Sequence, residues 1–162
     1  MSTSSFAVAA AERHFEDYEP GAVYEFGSVR ITQEEILAFA RQFDPQYLHL
    51  DLEAAARGPF GGLIASGWHT GALAMRLYVE HYLAGPANLG SPGMEEVHFQ
   101  RPVRPGDTLS IRVSVLQADR SRSKPDRGAV RAWIEVLNQK HEIVMSLKVT
   151  SLFRCRSAIP QP

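Results

Sequence analysis

The stretch Ser66-Gly-Trp-His-Thr-Gly-Ala-Leu-Ala-Met-Arg-Leu-Tyr-Val-Glu-His-Tyr-Leu83 decides the fold of this 162-residue chain. It follows a loop, Gly58-Pro-Phe-Gly-Gly62, and Ser66 is of a residue type that caps helices, so we predict a helix over about residues 67–83. Apolar side chains occupy nearly all sides of this helix, which is typical of a helix buried on several sides. We therefore expect it at the centre of the domain.

Upstream of this helix, the sequence predicts one strand and one amphipathic helix. Residues 22–31 are rich in Val, Tyr, Phe and Ile, which favours a strand. Thr32-Gln-Glu-Glu35 is a capping box, and apolar residues recur at helical spacing from Ile36 to Phe43. Asp44-Pro45 ends that helix, because proline disfavours the helical conformation of the preceding residue. Residues 51–57 could form further helical turns.

Downstream of the long helix, four segments have the pattern of strands, at residues 94–100, 108–116, 130–137 and 143–153. Polar or Gly- and Pro-containing turns separate them at residues 104–107, 119–128 and 138–141. This order predicts an α+β fold in which an antiparallel β-sheet wraps around the long α-helix. The sheet keeps an open edge, which favours pairing with a second subunit.

Composition bounds the class of protein. The chain is 44% hydrophobic and 22% charged, and its net charge of −1 gives no field that attracts nucleic acid or a membrane surface. Cys155 is the single cysteine, so no intramolecular disulfide is possible. The sequence has no cluster of Cys and His residues that would indicate a zinc site. No apolar run approaches the roughly 20 residues of a membrane span.

These features predict a soluble, cytoplasmic protein with one globular domain over residues 14–155. We expect residues 1–13 to form a mobile tail and not a signal peptide, because they lack a basic segment and their apolar run is short. Residues 156–162 are expected to form a C-terminal tail.

Two segments carry candidate chemistry. Asp44 and His49 place a carboxylate and an imidazole five residues apart, on what we predict to be one loop, where they could share proton transfer. Gly67 begins the long helix, where its N–H could stabilise an oxyanion. Taken singly, Asp44 is explained as a turn residue before proline and His49 as a histidine bonded to backbone; together with the glycine-rich segment, they favour catalysis.

The chain resembles the MaoC-like, or hydratase-2, branch of the hot-dog fold superfamily over about residues 14–153. Three ordered motifs carry the resemblance: Asp44-Pro-Gln-Tyr-Leu-His49, Gly61-Gly-Leu-Ile-Ala-Ser-Gly-Trp-His69 and Phe99-Gln-Arg-Pro-Val-Arg-Pro-Gly-Asp-Thr-Leu109. The resemblance implies an (R)-specific enoyl-CoA hydratase or related acyl dehydratase, whose Asp and His hold and activate water. Three positions depart from the family pattern: Gln46 replaces Asn, Tyr47 replaces Pro, and Ser66 replaces a His that many members carry.

We therefore predict reversible hydration of a trans-2-enoyl thioester, with acyl-CoA as the small-molecule substrate and a homodimer or higher oligomer as the active form. Asp44 and His49 are the predicted catalytic residues and Gly67 the oxyanion donor. Candidate substrate-binding residues are Ser66, Gly62, Trp68, Arg101 and Arg104. No metal or redox cofactor is expected, since the chain itself fills the acid/base and oxyanion roles.

Most candidate residues other than Asp44, His49 and Gly67 also have a simpler structural explanation. Ser66 suits a helix cap, Gly61 and Gly62 a turn with positive φ, and Trp68, His69 and Met75 core packing, with one satisfied hydrogen bond for His69. Solvated strand ends explain Arg101, Arg104 and Lys124.

Two other functions stay open from the sequence. A hot-dog thioesterase is disfavoured because residues 67–73 carry no acid and Glu80 lies far along the helix. A non-catalytic subunit that binds acyl thioesters is the other alternative.

Overall fold

The computed structural model describes residues 3–83 and 85–157, which form one five-stranded sheet and four α-helices. The helices are α1 (Gln33–Phe43), α2 (Tyr47–Leu50), α3 (Leu52–Arg57) and α4 (Gly67–His81). The strands are β1 (Val23–Arg30), β2 (Gly93–Phe99), β3 (Thr108–Arg120), β4 (Arg127–Leu137) and β5 (Ile143–Arg154). Short 3-10 helices precede β1 at Ala10–Glu12 and Phe15–Asp17. Within the described residues, no helix is both long and apolar enough to cross a bilayer.

The sheet is antiparallel throughout, in the order β1-β3-β4-β5-β2, so β1 and β2 are its open edges. Alternate residues of β3 (Leu109, Ile111, Val113 and Val115) are buried on one face, as the alternation predicts. The helix α4 contacts strands of the sheet and packs into the same apolar core. The predicted α+β hot-dog fold is therefore confirmed.

The central helix is buried along one side only. Ala74, Leu77 and Tyr78 are buried, whereas Trp68 is 65% exposed and Val79 52% exposed. The exposed side borders the edge strand β2, since Trp68 and Met94 line a common apolar cavity. The prediction that Trp68 and Met75 belong to the core is wrong, because apolar periodicity does not distinguish a core from a surface that another molecule could cover.

The segment between α1 and α4 places side chains next to the first turn of α4. The capping box is confirmed: the Thr32 and Glu35 side chains each accept from the other residue's backbone N–H. Asp44 ends α1, as predicted. His49, however, lies on the short helix α2 and not on one loop with Asp44, so that expectation is wrong.

The N-terminal residues pack against the far end of α4. The Phe6 ring stacks on Tyr24 with centroids 4.1 Å apart, and the Arg13 guanidinium lies 3.7 Å above Phe6. Arg13 also donates to the carbonyl oxygens of His81 and Tyr82, where the helix leaves its carbonyls unpaired. These contacts extend the packed structure into the segment expected as a tail; its mobility stays a prediction.

The β3–β4 hairpin has longer strands than the sequence pattern suggests. Because β3 reaches Arg120 and β4 starts at Arg127, the hairpin loop shrinks from the predicted residues 119–128 to residues 121–126.

Arg156 pairs with Asp17 at 2.6 Å, so the start of the expected C-terminal tail contacts the domain. Residues 158–162 of that tail lie outside the described residues.

Two glycines with positive φ differ in the space around them, so alanine variants of both distinguish the effect of backbone strain from that of packing. Gly27 (φ +79°) lies at the irregularity of β1, and a Cβ there would come within 2.5 Å of the buried Leu77 side chain. Gly21 (φ +88°) has open space around its Cβ position. We expect Gly27→Ala to lower the free energy of unfolding by about 2–4 kcal/mol and Gly21→Ala by about 1 kcal/mol. Urea denaturation of both variants measures this, and equal losses would contradict packing of β1 on α4.

Candidate active site

A cavity of about 360 Å³ opens beside the first turn of α4. Its walls come from the end of α1, from α2, from the residues preceding α4 and from the chain after β2. Six predicted site residues line it: Asp44, His49, Ser66, Gly67, Trp68 and Arg101. Gly62 and Arg104 lie outside it, packed against each other, and Arg104 donates to the Phe60 carbonyl oxygen.

The Asp44 carboxylate is held on both oxygens. Ser66 Oγ donates to Oδ2 at 2.6 Å, and Gln46 Nε2 donates to Oδ1 at 2.7 Å. The hydrogen bond from Ser66, followed by that from Gln46, keeps the pKa of Asp44 below its ordinary value; partial burial opposes this shift and the nearby His49 adds to it. Asp44 is therefore a carboxylate at neutral pH and can accept a further hydrogen bond.

His49 is buried and oriented by backbone. Its Nδ1 lies 2.9 Å from the carbonyl oxygen of Ile64, which can only accept, so we assign the hydrogen of the neutral ring to Nδ1. The other nitrogen, Nε2, lies 3.4 Å from Asp44 Oδ2. Two acceptors thus face each other across the cavity wall. A water molecule, which has two O–H bonds, can donate to both and so resolve their repulsion.

The start of α4 presents a backbone donor to the same cavity. Gly67 is the first residue of the helix, and its N–H has no hydrogen-bond partner among residues 3–83 and 85–157. A Cβ at Gly67 would lie 2.5 Å from the Phe99 ring, so glycine is what lets that ring cover the helix start. The Gly67 N–H, at the positive end of the helix dipole, is thus available to an anionic oxygen as far as the described residues are concerned.

A second, apolar cavity of about 230 Å³ lies along α4 beyond Trp68. Gly71 and Ala74 border it on the helix, and Met145 borders it on the sheet. Trp68, whose ring meets Phe99 edge-on at 6.2 Å, lines both cavities. Sequence reasoning missed this cavity; the small residues at positions 71, 72 and 74 of an otherwise bulky helix were the available signal.

A third cavity of about 230 Å³ adjoins the first and is polar. Arg101 and Pro102 belong to both, and Arg104 and Lys140 complete the basic side of the third. Glu142 lies 3.7 Å from the Arg101 guanidinium and offsets part of this charge. Lys140 was missed by sequence reasoning, whereas Lys124 sits in the hairpin loop and lines none of these three cavities.

The sequence explains Gly61 and Gly62 as turn residues and His69 as a core residue with one hydrogen bond, and the structure confirms only part of this. Gly61 and Gly62 adopt φ values of 63° and 154°, which confirms their turn role. His69 is buried and stacks on Phe39 with centroids 4.6 Å apart, but its Nδ1 has no partner within the described part of the chain. The predicted satisfied hydrogen bond of His69 is therefore wrong there, and burial lowers its pKa.

Comparison with known proteins identifies the family. A family model described as MaoC like domain matches residues 1–136. The uncharacterized protein YdeM of Bacillus subtilis is 32% identical over 139 residues, which cover 86% of this chain and 97% of that protein. The 3-hydroxyacyl-thioester dehydratase Z of Mycobacterium tuberculosis is 36% identical over 110 residues, 67% of this chain and 73% of that protein.

Among solved structures, the MaoC-like dehydratase from Rhodospirillum rubrum superposes with a TM-score of 0.81. It is 38% identical in sequence, and the match covers 90% of this chain and 99% of that one. The family model spans most of the chain, and the solved structure, itself a MaoC-like dehydratase, agrees with it. The chain belongs to the MaoC-like dehydratase family.

Proposed function

We propose that the protein catalyses the reversible hydration of a trans-2-enoyl thioester to a 3-hydroxyacyl thioester. One observation carries the proposal: the acceptors Asp44 Oδ2 and His49 Nε2 lie 3.4 Å apart in a cavity that Gly67, the first residue of α4, also lines. The M. tuberculosis relative is named as a 3-hydroxyacyl-thioester dehydratase, which supports this substrate class.

The reaction needs the groups that line this cavity. Water must lose a proton as its oxygen attacks the β-carbon, and the α-carbon must gain one. Negative charge develops on the thioester oxygen between these steps, and a fixed donor there lowers the barrier. We assign water binding to Asp44 and His49 as an acid/base pair, and the oxyanion to the Gly67 N–H. The (R) configuration of the product follows from the family resemblance alone.

Coenzyme A is the carrier we propose, because the polar cavity beside the catalytic one offers arginine and lysine side chains. Arg101 borders both cavities and Arg104 borders the polar one. The acyl chain would extend from the catalytic cavity past Trp68 into the apolar cavity. We propose no metal or redox cofactor, since the chain's own groups suffice for these steps.

A homodimer is the proposed assembly. The open edge strand β2 and the exposed side of α4 carry exposed apolar side chains: Trp68, Val79, Met94 and Phe99. Trp68 and Phe99 also line the catalytic cavity. A second copy that pairs along β2 would remove these side chains from water and continue the sheet. Neither nucleic acid nor a membrane surface is proposed as a partner of this nearly neutral chain.

The thioesterase alternative has less support. Residues 67–73 carry no acid, and Glu80 is exposed and paired with Arg76 at 2.9 Å. Asp44 is then the carboxylate of the catalytic cavity, and it stands beside an imidazole, as water addition requires. Release of free thiol from an acyl-CoA would favour the thioesterase.

Loss of either acceptor tests the proposal. We expect Asp44→Asn and His49→Gln each to lower kcat/KM for a trans-2-enoyl-CoA by at least about 100-fold, because each changes one of the two groups that hold and activate the water. The loss of enoyl absorbance on hydration measures this. Asp51→Asn is the matched control: Asp51 is exposed, caps α3 through the Ala54 N–H, and asparagine caps equally well. Full activity of Asp44→Asn would overturn its assignment, and binding without turnover by the wild type would favour a non-catalytic subunit.

The choice of carrier is tested by comparing a substrate that carries the phosphates of coenzyme A with one that lacks them. Arg101→Gln should raise KM for an enoyl-CoA about three- to tenfold, but leave KM unchanged for the enoyl thioester of N-acetylcysteamine, which has no phosphates. Steady-state kinetics with both substrates provides the comparison. Arg122→Gln, an exposed change in the hairpin loop, is the control. A KM that rises equally for both substrates would contradict phosphate binding by Arg101.

A further inference from the structure

Ser66 connects the two ends of the segment that builds the site. Its side chain is 1% exposed, and its hydroxyl donates to Asp44 Oδ2 at 2.6 Å while accepting the Trp68 N–H at 3.2 Å. A hydroxyl has one hydrogen, and here that hydrogen belongs to Asp44. Ser66 therefore has none left to donate to a substrate, although the sequence made it a candidate for substrate binding.

The donors around Asp44 favour its charged form. Ser66 and Gln46 each direct a hydrogen at a different carboxylate oxygen. A proton added to Oδ2 would compete with the Ser66 hydrogen for the same oxygen, and charge-assisted bonds of this kind are about twice as strong as neutral ones. The same contact is the main reason that the pKa of Asp44 lies below its ordinary value.

His49 has one nitrogen available to the cavity. Its Nδ1–H is committed to the Ile64 carbonyl oxygen, which leaves Nε2 to gain or lose a proton. An imidazolium formed there would lie 3.4 Å from the Asp44 carboxylate. Of the other charged or titratable groups nearby, Arg101 lines the same cavity, and His69 of α4 stacks on Phe39 instead.

We propose that Ser66 is a positioning residue that holds Asp44 as a permanent carboxylate, so that His49 Nε2 alone carries the proton. This inference rests on the proposed hydration. A water molecule donates one hydrogen bond to each acceptor, its proton passes to Nε2, and its oxygen bonds to the β-carbon. The π electrons move to the thioester oxygen. The same proton then passes from Nε2 to the α-carbon as the carbonyl re-forms, so one water is added and both residues return to their starting states.

Two substitutions separate this role from helix capping. Glycine caps helices nearly as well as serine, so Ser66→Gly removes the hydroxyl with little loss of capping. We expect Ser66→Gly to lower kcat about 10- to 100-fold with little change in KM, and Ser66→Thr, which keeps a hydroxyl, to retain most of the activity. Unchanged kcat in Ser66→Gly would leave capping as the function of Ser66 and overturn the inference.

A titration supplies a measurement that a structural role would not move. The ¹³C resonance of the Asp44 carboxyl, assigned by its absence in Asp44→Asn, reports the ionisation of this group without substrate. We expect its midpoint to lie at higher pH in Ser66→Gly than in wild type, and to return in Ser66→Thr. Equal midpoints in all three proteins would overturn the hold of Ser66 on Asp44. Absence of any wild-type hydration would overturn the proposed function and the proton route with it, whereas the titration still decides the hold of Ser66 on Asp44.

Discussion

The hydrogen bond between Ser66 and Asp44 joins the end of α1 to the start of α4, across 22 residues of chain. It fixes the carboxylate against the first turn of the helix that packs on the sheet. The opposite end of α4 is held as well, because Arg13 donates to the carbonyl oxygens of His81 and Tyr82 and the Tyr18 hydroxyl also donates to Tyr82. A helix fixed at both ends gives the cavity beside it a defined geometry, which a site for proton transfer requires.

The cavity is lined by both hydrogen-bond acceptors and a hydrogen-bond donor. Asp44 Oδ2 and His49 Nε2 both accept, and neither can satisfy the other while the ring is neutral. The Gly67 N–H donates and has no partner in the part of the chain that the structure describes. A water molecule and a thioester oxygen are complementary to these groups. The proposed reaction therefore follows from groups that the fold holds in place and that can each make a further hydrogen bond.

Much of the fold was accessible from the sequence because local signals agreed with the tertiary structure. The capping box at Thr32, the stop at Asp44 and the cap at Ser66 are each satisfied by backbone a few residues away, so short segments encode them. The alternation of β3 was equally clear, since one face meets the core. For the site, the sequence predicted that Asp44, His49 and Gly67 act together, and the structure brings them into one cavity; their catalytic roles stay a prediction.

Features that depend on distant partners were not accessible in the same way. The exposure of Trp68 depends on where the sheet ends, and the ring of Phe99 reaches Gly67 from another element. The contacts of Phe6 and Arg13 with the core likewise join parts of the chain that no local pattern connects. The short helix α2 is only four residues long, below the length at which periodicity is informative.

The most direct test of the account is a crystal structure with a 2,2-dimethyl-3-hydroxyacyl-CoA, which has no α-hydrogen and so cannot lose water. We predict that its hydroxyl oxygen lies within hydrogen-bonding distance of both Asp44 Oδ2 and His49 Nε2, with the thioester oxygen at the Gly67 N–H. A bound ligand whose hydroxyl contacts neither side chain, or whose thioester lies away from the start of α4, would contradict the proposed hydration.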